Sequence, residues 1–323
     1  MRIHVLHENN EWLPPLRAAF EAIDLPYAEW HLAEGGFDLN TAPPKGIFYN
    51  RMSASSHARG HDHAPELTAS VLAWLKGYGR PVVNGGRALD LEIDKVRQYA
   101  AMSQFSIDFP ATRVAIGRTA ILEAATEMGT PLILKPNRGG KGLGVQLFND
   151  LLTLQTYLES ELFDAGRDGT VLLQQYVKSA DSSIIRNEFV GGKFLYAVRV
   201  DTSQGFELCP SEACRIEDAF CSVGESTEER PMFEILDGFT HENHAKYERF
   251  LAANKIDVAG IEMIIDEDGK AWTYDVNTNT NYNPEAEATS GRTGTARSGP
   301  GAIANFLDRE LFQAVNPALA AAE

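Results

Sequence analysis

Cysteine is scarce in this chain: Cys209, Cys214 and Cys221 are all that 323 residues contain. An odd, sparse set without paired ligand spacing argues against a disulfide framework and against structural zinc, and reads as reduced thiols in a cytoplasmic protein. Long apolar runs are missing as well, so no stretch has the length of a membrane span. The opening Met1-Arg-Ile-His-Val-Leu6 lacks the longer apolar segment of a signal peptide and reads as a short strand. Positive charge is in deficit too. The 29 Lys and Arg against 45 Asp and Glu leave a net charge of −16, which disfavours nucleic acid as a partner. A global deficit still permits a local anion site, because a few nearby cations decide that. With 44% hydrophobic and 23% charged residues, the composition is that of an ordinary globular protein long enough for two or three cores.

What is present alternates between strand and helix patterns first and then turns β-rich. In residues 1–90, stretches 3–6, 46–49 and 81–84 have strand character, and 16–23 and 67–76 carry helical apolar spacing, so a largely parallel sheet is expected. Asp94 is a suitable N-cap for a helix with Val96, Tyr99, Ala100 and Met102 at helical spacing. Strands are predicted at 113–116, 131–135 and 144–148, with helices at 119–128 and 150–159. Further on, 171–177, 184–190, 193–200, 261–265 and 271–275 read as strands, with Gly191-Gly192 and residues 266–269 as hairpin turns. Helices return at 241–254 and 302–315.

Two separated stretches carry chemistry. The first is Leu132-Ile-Leu-Lys-Pro-Asn-Arg-Gly-Gly-Lys-Gly-Leu-Gly-Val145. Gly139, Gly140, Gly142 and Gly144 let a loop curl and bring backbone N–H groups close to phosphate oxygens, and Lys141 adds charge. The loop fits neither the Walker pattern, which needs Gly-Lys-Ser/Thr opening a helix, nor the dinucleotide fingerprint, since a strand follows it. It is expected to join two strands as a hairpin tip. Lys135 ends an apolar strand and is half-buried, and burying an ammonium is unfavourable unless an anion meets it. A phosphate and an internal carboxylate are the two candidate partners. Lys95 falls in the first turn of a helix, where a cation opposes the dipole. A phosphate docked at that helix end would account for it; a solvated surface lysine is the plainer alternative.

The second stretch is Gly260-Ile-Glu262 followed by Tyr274-Asp275-Val-Asn277. Period-2 alternation places Asp275 and Asn277 on one strand face, and a hairpin through residues 266–269 brings Glu262 to the same face. Three oxygen donors sharing a site with triphosphate oxygens suit Mg2+, which takes few protein ligands. The alternative is a half-exposed strand with solvated carboxylates, weakened by the poor strand propensity of Asp.

Taken in order, six blocks resemble those of the ATP-grasp superfamily, closest to the RimK-like and glutathione-synthetase-like carboxylate–amine ligases. They are Asp94-Lys95; Phe109-Pro110-Ala-Thr112; Ile133-Leu-Lys135-Pro136 with the loop at 139–145; Gln174-Gln-Tyr-Val177; Arg186 through Val190-Gly-Gly-Lys193 to Arg199; and Gly260-Ile-Glu262 with Asp275-Val-Asn277. The resemblance implies an α/β (α+β) fold: a pre-ATP-grasp α/β domain over 1–92, the small lid subdomain of the ATP-grasp over 93–170, and its C-terminal subdomain with the metal site over 171–323. It implies ATP held by Lys95, Lys135, the loop with Gly139, Gly140, Lys141, Gly142 and Gly144, the hinge Gln174, Gln175, Tyr176 and Val177, and Asp181 near the ribose. It further implies two Mg2+ ions on Glu262, Asp275 and Asn277, with Mn2+ as a substitute, and Arg186 and Arg199 facing the reacting carboxylate. The implied reaction is amide or peptide bond formation through an acyl phosphate, with release of ADP and phosphate, on small-molecule carboxylate and amine substrates such as amino acids or short peptides. Relatives are often homodimers. An ATP-grasp small-molecule kinase and a non-catalytic ATP sensor are the alternatives. The chain departs from the family pattern at Gln175 and Asp275, where Glu is common, and at Thr278-Asn-Thr-Asn-Tyr-Asn-Pro284, where Pro-Gly often follows the last metal ligand.

Asn50-Arg51-Met-Ser-Ala-Ser-Ser-His57-Ala-Arg59-Gly-His61-Asp-His63 follows a strand end, where open α/β sheets place ligand loops. Arg51 and Arg59 are candidates for a substrate carboxylate, against the plain reading of a polar connecting loop. Gly60 breaks the helical spacing its three histidines would need to share a metal. Asn279, Asn281 and Asn283, Tyr282, and Cys209-Pro-Ser-Glu-Ala-Cys214-Arg215 are candidates for lining a substrate pocket. Clustered amides read carboxylates or peptide groups, or else satisfy the backbone of an irregular loop.

Overall fold

A computed structural model describes residues 1–140, 142–203 and 231–316. Lys141 and the segment with the three cysteines lie outside the described residues.

Strand β1 (Ile3–His7) is buried along its whole length, because parallel partners flank it on both sides. They are β2 (Tyr27–His31) on one edge, and β3 (Ile47–Asn50) followed by β4 (Val82–Val83) on the other. Parallel pairing needs crossovers; α1 (Pro14–Glu21) joins β1 to β2, and α2 (Ala64–Gly77) joins β3 to β4. The sequence pattern missed β2, whose Tyr-Ala-Glu-Trp-His mixes polar and apolar residues, as a half-buried edge strand permits. On one face of the sheet, Ile3, Val5 and Tyr49 pack against Leu16 and Phe20 of α1. The same cluster takes in Ile303, Leu307 and Leu311 of the helix Gly299–Val315, so the last described helix returns to the first sheet.

Helices α3 (Gly86–Glu92) and α4 (Lys95–Ser103) lead into the second sheet. Asp94 caps α4 as expected, its carboxylate accepting from Arg97 N at 2.9 Å. The second sheet is antiparallel, in the order β5 (Thr112–Ile116), β8 (Thr170–Gln175), β6 (Leu132–Pro136), β7 (Gln146–Phe148). Helices α5 (Arg118–Met128) and α6 (Leu151–Glu159) cover it through Ile121, Ala125, Leu154 and Leu158. Leu132 lies opposite Phe148, so the glycine loop is the hairpin tip anticipated from its flanking strands. Because β8 inserts between β5 and β6, this sheet runs past residue 170.

The third sheet is also antiparallel: β11 (Phe233–Leu236), β10 (Lys193–Asp201), β9 (Ser183–Val190), β12 (Val258–Ile265) and β13 (Ala271–Asn277). One face rests on α7 (Asn243–Asn254), where Phe189 and Met263 meet Tyr247, Phe250 and Leu251. The other face lines a cleft against the second sheet. Among the described residues, no helix is long and apolar enough to cross a membrane.

Candidate active site

The cleft between the second and third sheets has a volume of about 510 Å³, within the range of small-molecule pockets. Lys135 reaches it from β6 and is only 5% exposed. Its ammonium donates to Tyr99 Oη at 2.6 Å and to Gln174 Oε1 at 2.8 Å. Both partners are neutral. Burial, reinforced by the nearby Lys95 charge, lowers the Lys135 pKa from 10.5 to about 7. The structure therefore sets aside the internal-carboxylate reading of this lysine. Gln174 completes the arrangement by donating from Nε2 to Thr112 Oγ1 at 2.8 Å, so its side chain orients Lys135.

Lys95 is half-buried rather than fully solvated, and donates to Asp275 Oδ1 at 2.8 Å. Burial opposes its charge, yet the Asp275 carboxylate holds its pKa above the ordinary lysine value. The end of α4 is not an open anion seat, which corrects the expectation of a phosphate docked on it. Asn137 Oδ1 accepts from Val96 N at 3.0 Å, and Asn137 O accepts from Lys95 N at 3.3 Å. With Asp94 on Arg97 N, the first-turn donors are occupied. The ammonium of Lys95, not the helix end, faces the cleft.

Strand register assembles the acidic end. Arg186 on β9 stands opposite Glu262 on β12, which stands opposite Asp275 on β13. Asn277, two residues on, shares their face and donates from Nδ2 to Glu262 Oε1 at 3.3 Å. Asp275 Oδ2 and Asn277 Oδ1 accept no hydrogen bond among the described residues, so this oxygen donor set fits a hard divalent cation. Burial raises the Glu262 pKa even though Arg186 opposes the rise; burial also pushes Asp275 up, but Lys95 outweighs it and the net direction is down. Arg186 is 6% exposed and donates to Glu188 Oε1 at 2.7 Å, Glu262 Oε1 at 3.0 Å and Thr280 Oγ1 at 2.6 Å. The guanidinium lies over Gly260: a Cβ there would come within 2.8 Å of Arg186 Nε and Nη2. That contact explains the glycine two residues before Glu262.

The remaining candidates divide. Gly139, Gly140 and Gly142 line the cleft, as do Gln174, Gln175, Tyr176 and Val177. Gly142 and Gly144 both adopt φ of +74°, the left-handed conformation that favours glycine. Asp181 does not line the cleft; it is exposed and accepts from Ser183 Oγ at 2.6 Å in the turn before β9. Arg199 is not brought to Arg186. Register places Val198 opposite Arg186 and Arg199 opposite Ile185, so Arg199 faces the α7 side and pairs with Glu234 at 2.5 Å. Arg59 is neutralised by Glu8 and lies 4.5 Å over the Trp12 ring. Arg51 is buried behind the cleft and donates to Asn279 Oδ1 at 3.2 Å. Neither arginine of that loop presents a free guanidinium for direct carboxylate binding. Among the described residues, no group of three or more His, Cys, Asp or Glu could hold a metal, and His61 pairs with Glu8 at 2.7 Å.

Sequence reasoning missed Glu92, Glu188, Tyr99 and Thr280, whereas Asn279 and Asn281, named as candidates for lining a pocket, do line the cleft. Glu92 was legible as an acid on the buried face of α3, beside Ala88, Leu89 and Leu91; its carboxylate accepts from Ala54 N at 3.1 Å and Thr278 N at 2.6 Å. Glu188 sits two residues from Arg186, so strand alternation alone put the pair on one face. Tyr99 had read as a core residue because it sits at helical spacing, and nothing local marks Thr280.

The fold is that of the ATP-grasp proteins. It superposes on a RimK domain ATP-grasp protein from Sphaerobacter thermophilus with a TM-score of 0.65 at 19% identity, covering 95% of this chain and 99% of that one. The ATP-grasp ligase PsnB, solved with a phosphomimetic variant of its minimal precursor, Mg and ADP, aligns with a TM-score of 0.65 at 16% identity, covering 96% of this chain and 98% of that one. More particularly, residues 92–206 match the family model of the RimK-like ATP-grasp domain. A probable α-L-glutamate ligase from Saccharophagus degradans is 29% identical over 137 residues, which is 42% of this chain. The chain spans less than half of that relative's length, 44%.

Proposed function

We propose that this protein is an ATP-dependent carboxylate–amine ligase that forms an amide or peptide bond through an acyl phosphate and releases ADP and phosphate. The observation that carries the reading is convergence: Lys135 and Lys95 meet Arg186, Glu262, Asp275 and Asn277 in one cleft, although the last three lie more than a hundred residues from either lysine in the sequence. A carboxylate resists amine attack because of its charge. Phosphorylating it forms a carboxylate–phosphorus bond, breaks the bond between the β,γ-bridging oxygen and Pγ, and leaves ADP. The amine then attacks the acyl carbon and phosphate departs.

In this scheme Lys135 and Lys95 hold the triphosphate. Glu262, Asp275 and Asn277 would hold Mg2+, as two ions, with Mn2+ as a substitute; when bound, the metal neutralises charge between the β- and γ-oxygens. Arg186 keeps its guanidinium beside the metal ligands for the charge that develops on the transferred group. The loop at 139–144 and the hinge at 174–177 enclose the nucleotide and exclude water from the acyl phosphate. Substrates with amino-acid or short-peptide character fit the named relatives.

The test is nucleotide product analysis with purified protein, ATP and Mg2+, in the presence of pooled amino acids, dipeptides and small carboxylic acids. ADP and phosphate that appear only when a carboxylate and an amine are both supplied are expected. ADP with a stably phosphorylated product would identify a kinase instead. AMP and pyrophosphate would sink the acyl-phosphate route.

A further inference from the structure

Resting on the ligase reading of this cleft, we propose that Arg51 is a positioning residue. It turns the side-chain amides of Asn279 and Asn281 so that both present N–H groups to the cleft, forming a subsite for a carboxylate that the reaction leaves untouched.

Arg51 follows β3 and is 6% exposed. Its Nε donates to Asn279 Oδ1 at 3.2 Å and its Nη2 to Asn281 Oδ1 at 2.9 Å. Nη2 also donates to Thr280 O at 3.2 Å, and Nη1 to Trp12 O at 3.4 Å. Among the described residues, Arg51 pairs with no carboxylate. Nε and Nη2 form the guanidinium edge that a carboxylate takes in a bidentate pair; here two amide oxygens occupy it side by side. A guanidinium has donors only. The atom of each amide facing Arg51 is therefore its oxygen, and each NH2 is turned away.

Asn279 and Asn281 both line the cleft, and neither Nδ2 has a hydrogen-bond partner among the described residues. Their backbone is held from the other side. Glu92 accepts from Thr278 N at 2.6 Å and from Asn279 N at 3.4 Å. A buried anion behind the main chain and a buried cation behind the side chains thus clamp residues 278–281. Two adjacent N–H donors backed by a guanidinium favour a ligand that accepts and carries negative charge; a ligand ammonium would meet dipoles of the wrong sign. Asn279 and Asn281 follow Asp275 and Asn277 along the chain and line the same cleft.

The test uses full-length protein loaded with Mg2+ and AMPPNP, titrated calorimetrically with two probe sets: the twenty L-amino acids and the corresponding L-amino acid amides. In the wild type, the best free acid is expected to bind at least tenfold tighter than its amide. Asn281→Asp keeps an oxygen toward Arg51 and puts a second oxygen where the N–H was. It should weaken that acid at least 30-fold and erase or reverse the preference, with AMPPNP affinity and Tm unchanged. Arg51→Lys, which lacks the two-donor edge, should also lose the preference; should it fail to fold, Asn281→Asp carries the test alone. Equal binding of acids and amides by the wild type, no binding of either, or an intact preference in Asn281→Asp would overturn the proposal. Selective acid binding with no ADP release under any pairing would support the subsite and remove the ligase reading.

Discussion

The two ends of the cleft each hold a buried cation, and they compensate it in opposite ways. At the lysine end, Lys135 is bonded, among the described residues, only to the hydroxyl of Tyr99 and the amide of Gln174, and its pKa falls to about 7. At the acidic end, Arg186 touches two carboxylates, Glu188 and Glu262. A guanidinium cannot shed its proton, so it is buried only with its counter-charges in place. An ammonium can adapt by titrating. The first arrangement leaves room for an anion to arrive; the second fixes a charge in position before anything binds.

The sharpest way to break that contrast is Lys135→Met. ADP formation should fall roughly 10²–10³-fold with only a modest loss of stability, since the substitution strands no charge and costs the hydrogen bonds to Tyr99 and Gln174; near-normal turnover with the true substrate pair would remove Lys135 from the site. Glu188→Leu should do the reverse, costing about 3 kcal/mol in urea unfolding because it strips a counter-charge from buried Arg186. Unchanged stability there would mean Glu262 alone suffices. Gly260→Ala comes next: a methyl 2.8 Å from the guanidinium forces Arg186 to move, for roughly 1–2 kcal/mol and a parallel drop in turnover, readable by unfolding and kinetics on one sample.

The smallest effect concerns protons. Between pH 7 and 10.5 the unfolded chain keeps a proton at Lys135 that the folded chain has lost. Its contribution to stability therefore rises with pH through that window. A bound triphosphate favours the charged lysine, so nucleotide binding at pH 8 should take up as much as about one proton. Calorimetry in buffers of different ionisation enthalpy reads this directly, and Lys135→Met should abolish it.

Much of this contrast was legible in the chain as written. The apolar strand ending at Lys135, the glycines between two strands, and Glu262 facing Asp275 and Asn277 across a hairpin all follow from local periodicity and turn chemistry, and the structure holds each of them. The failures were of a different kind. Arg199 has the composition of a site residue, but its register turns it to the α7 face. Arg51 and Arg59 stand eight residues apart in one loop, yet one is taken by Asn279 and Asn281 and the other by Glu8. β2 was missed because a half-buried edge strand needs no clean alternation.

By itself, the sequence determined most of the strands and helices, the glycine loop, and which residue types wait at strand ends, because backbone propensity and side-chain alternation act over a few neighbours. Only the tertiary structure decided which charges meet. Lys95 meets Asp275, Arg51 meets Asn279, Arg186 meets Glu262 and Glu92 meets Thr278, each across segments distant along the chain. Whether a buried cation is satisfied depends on sheet register and on what faces it across the cleft, and neither is a property of local sequence.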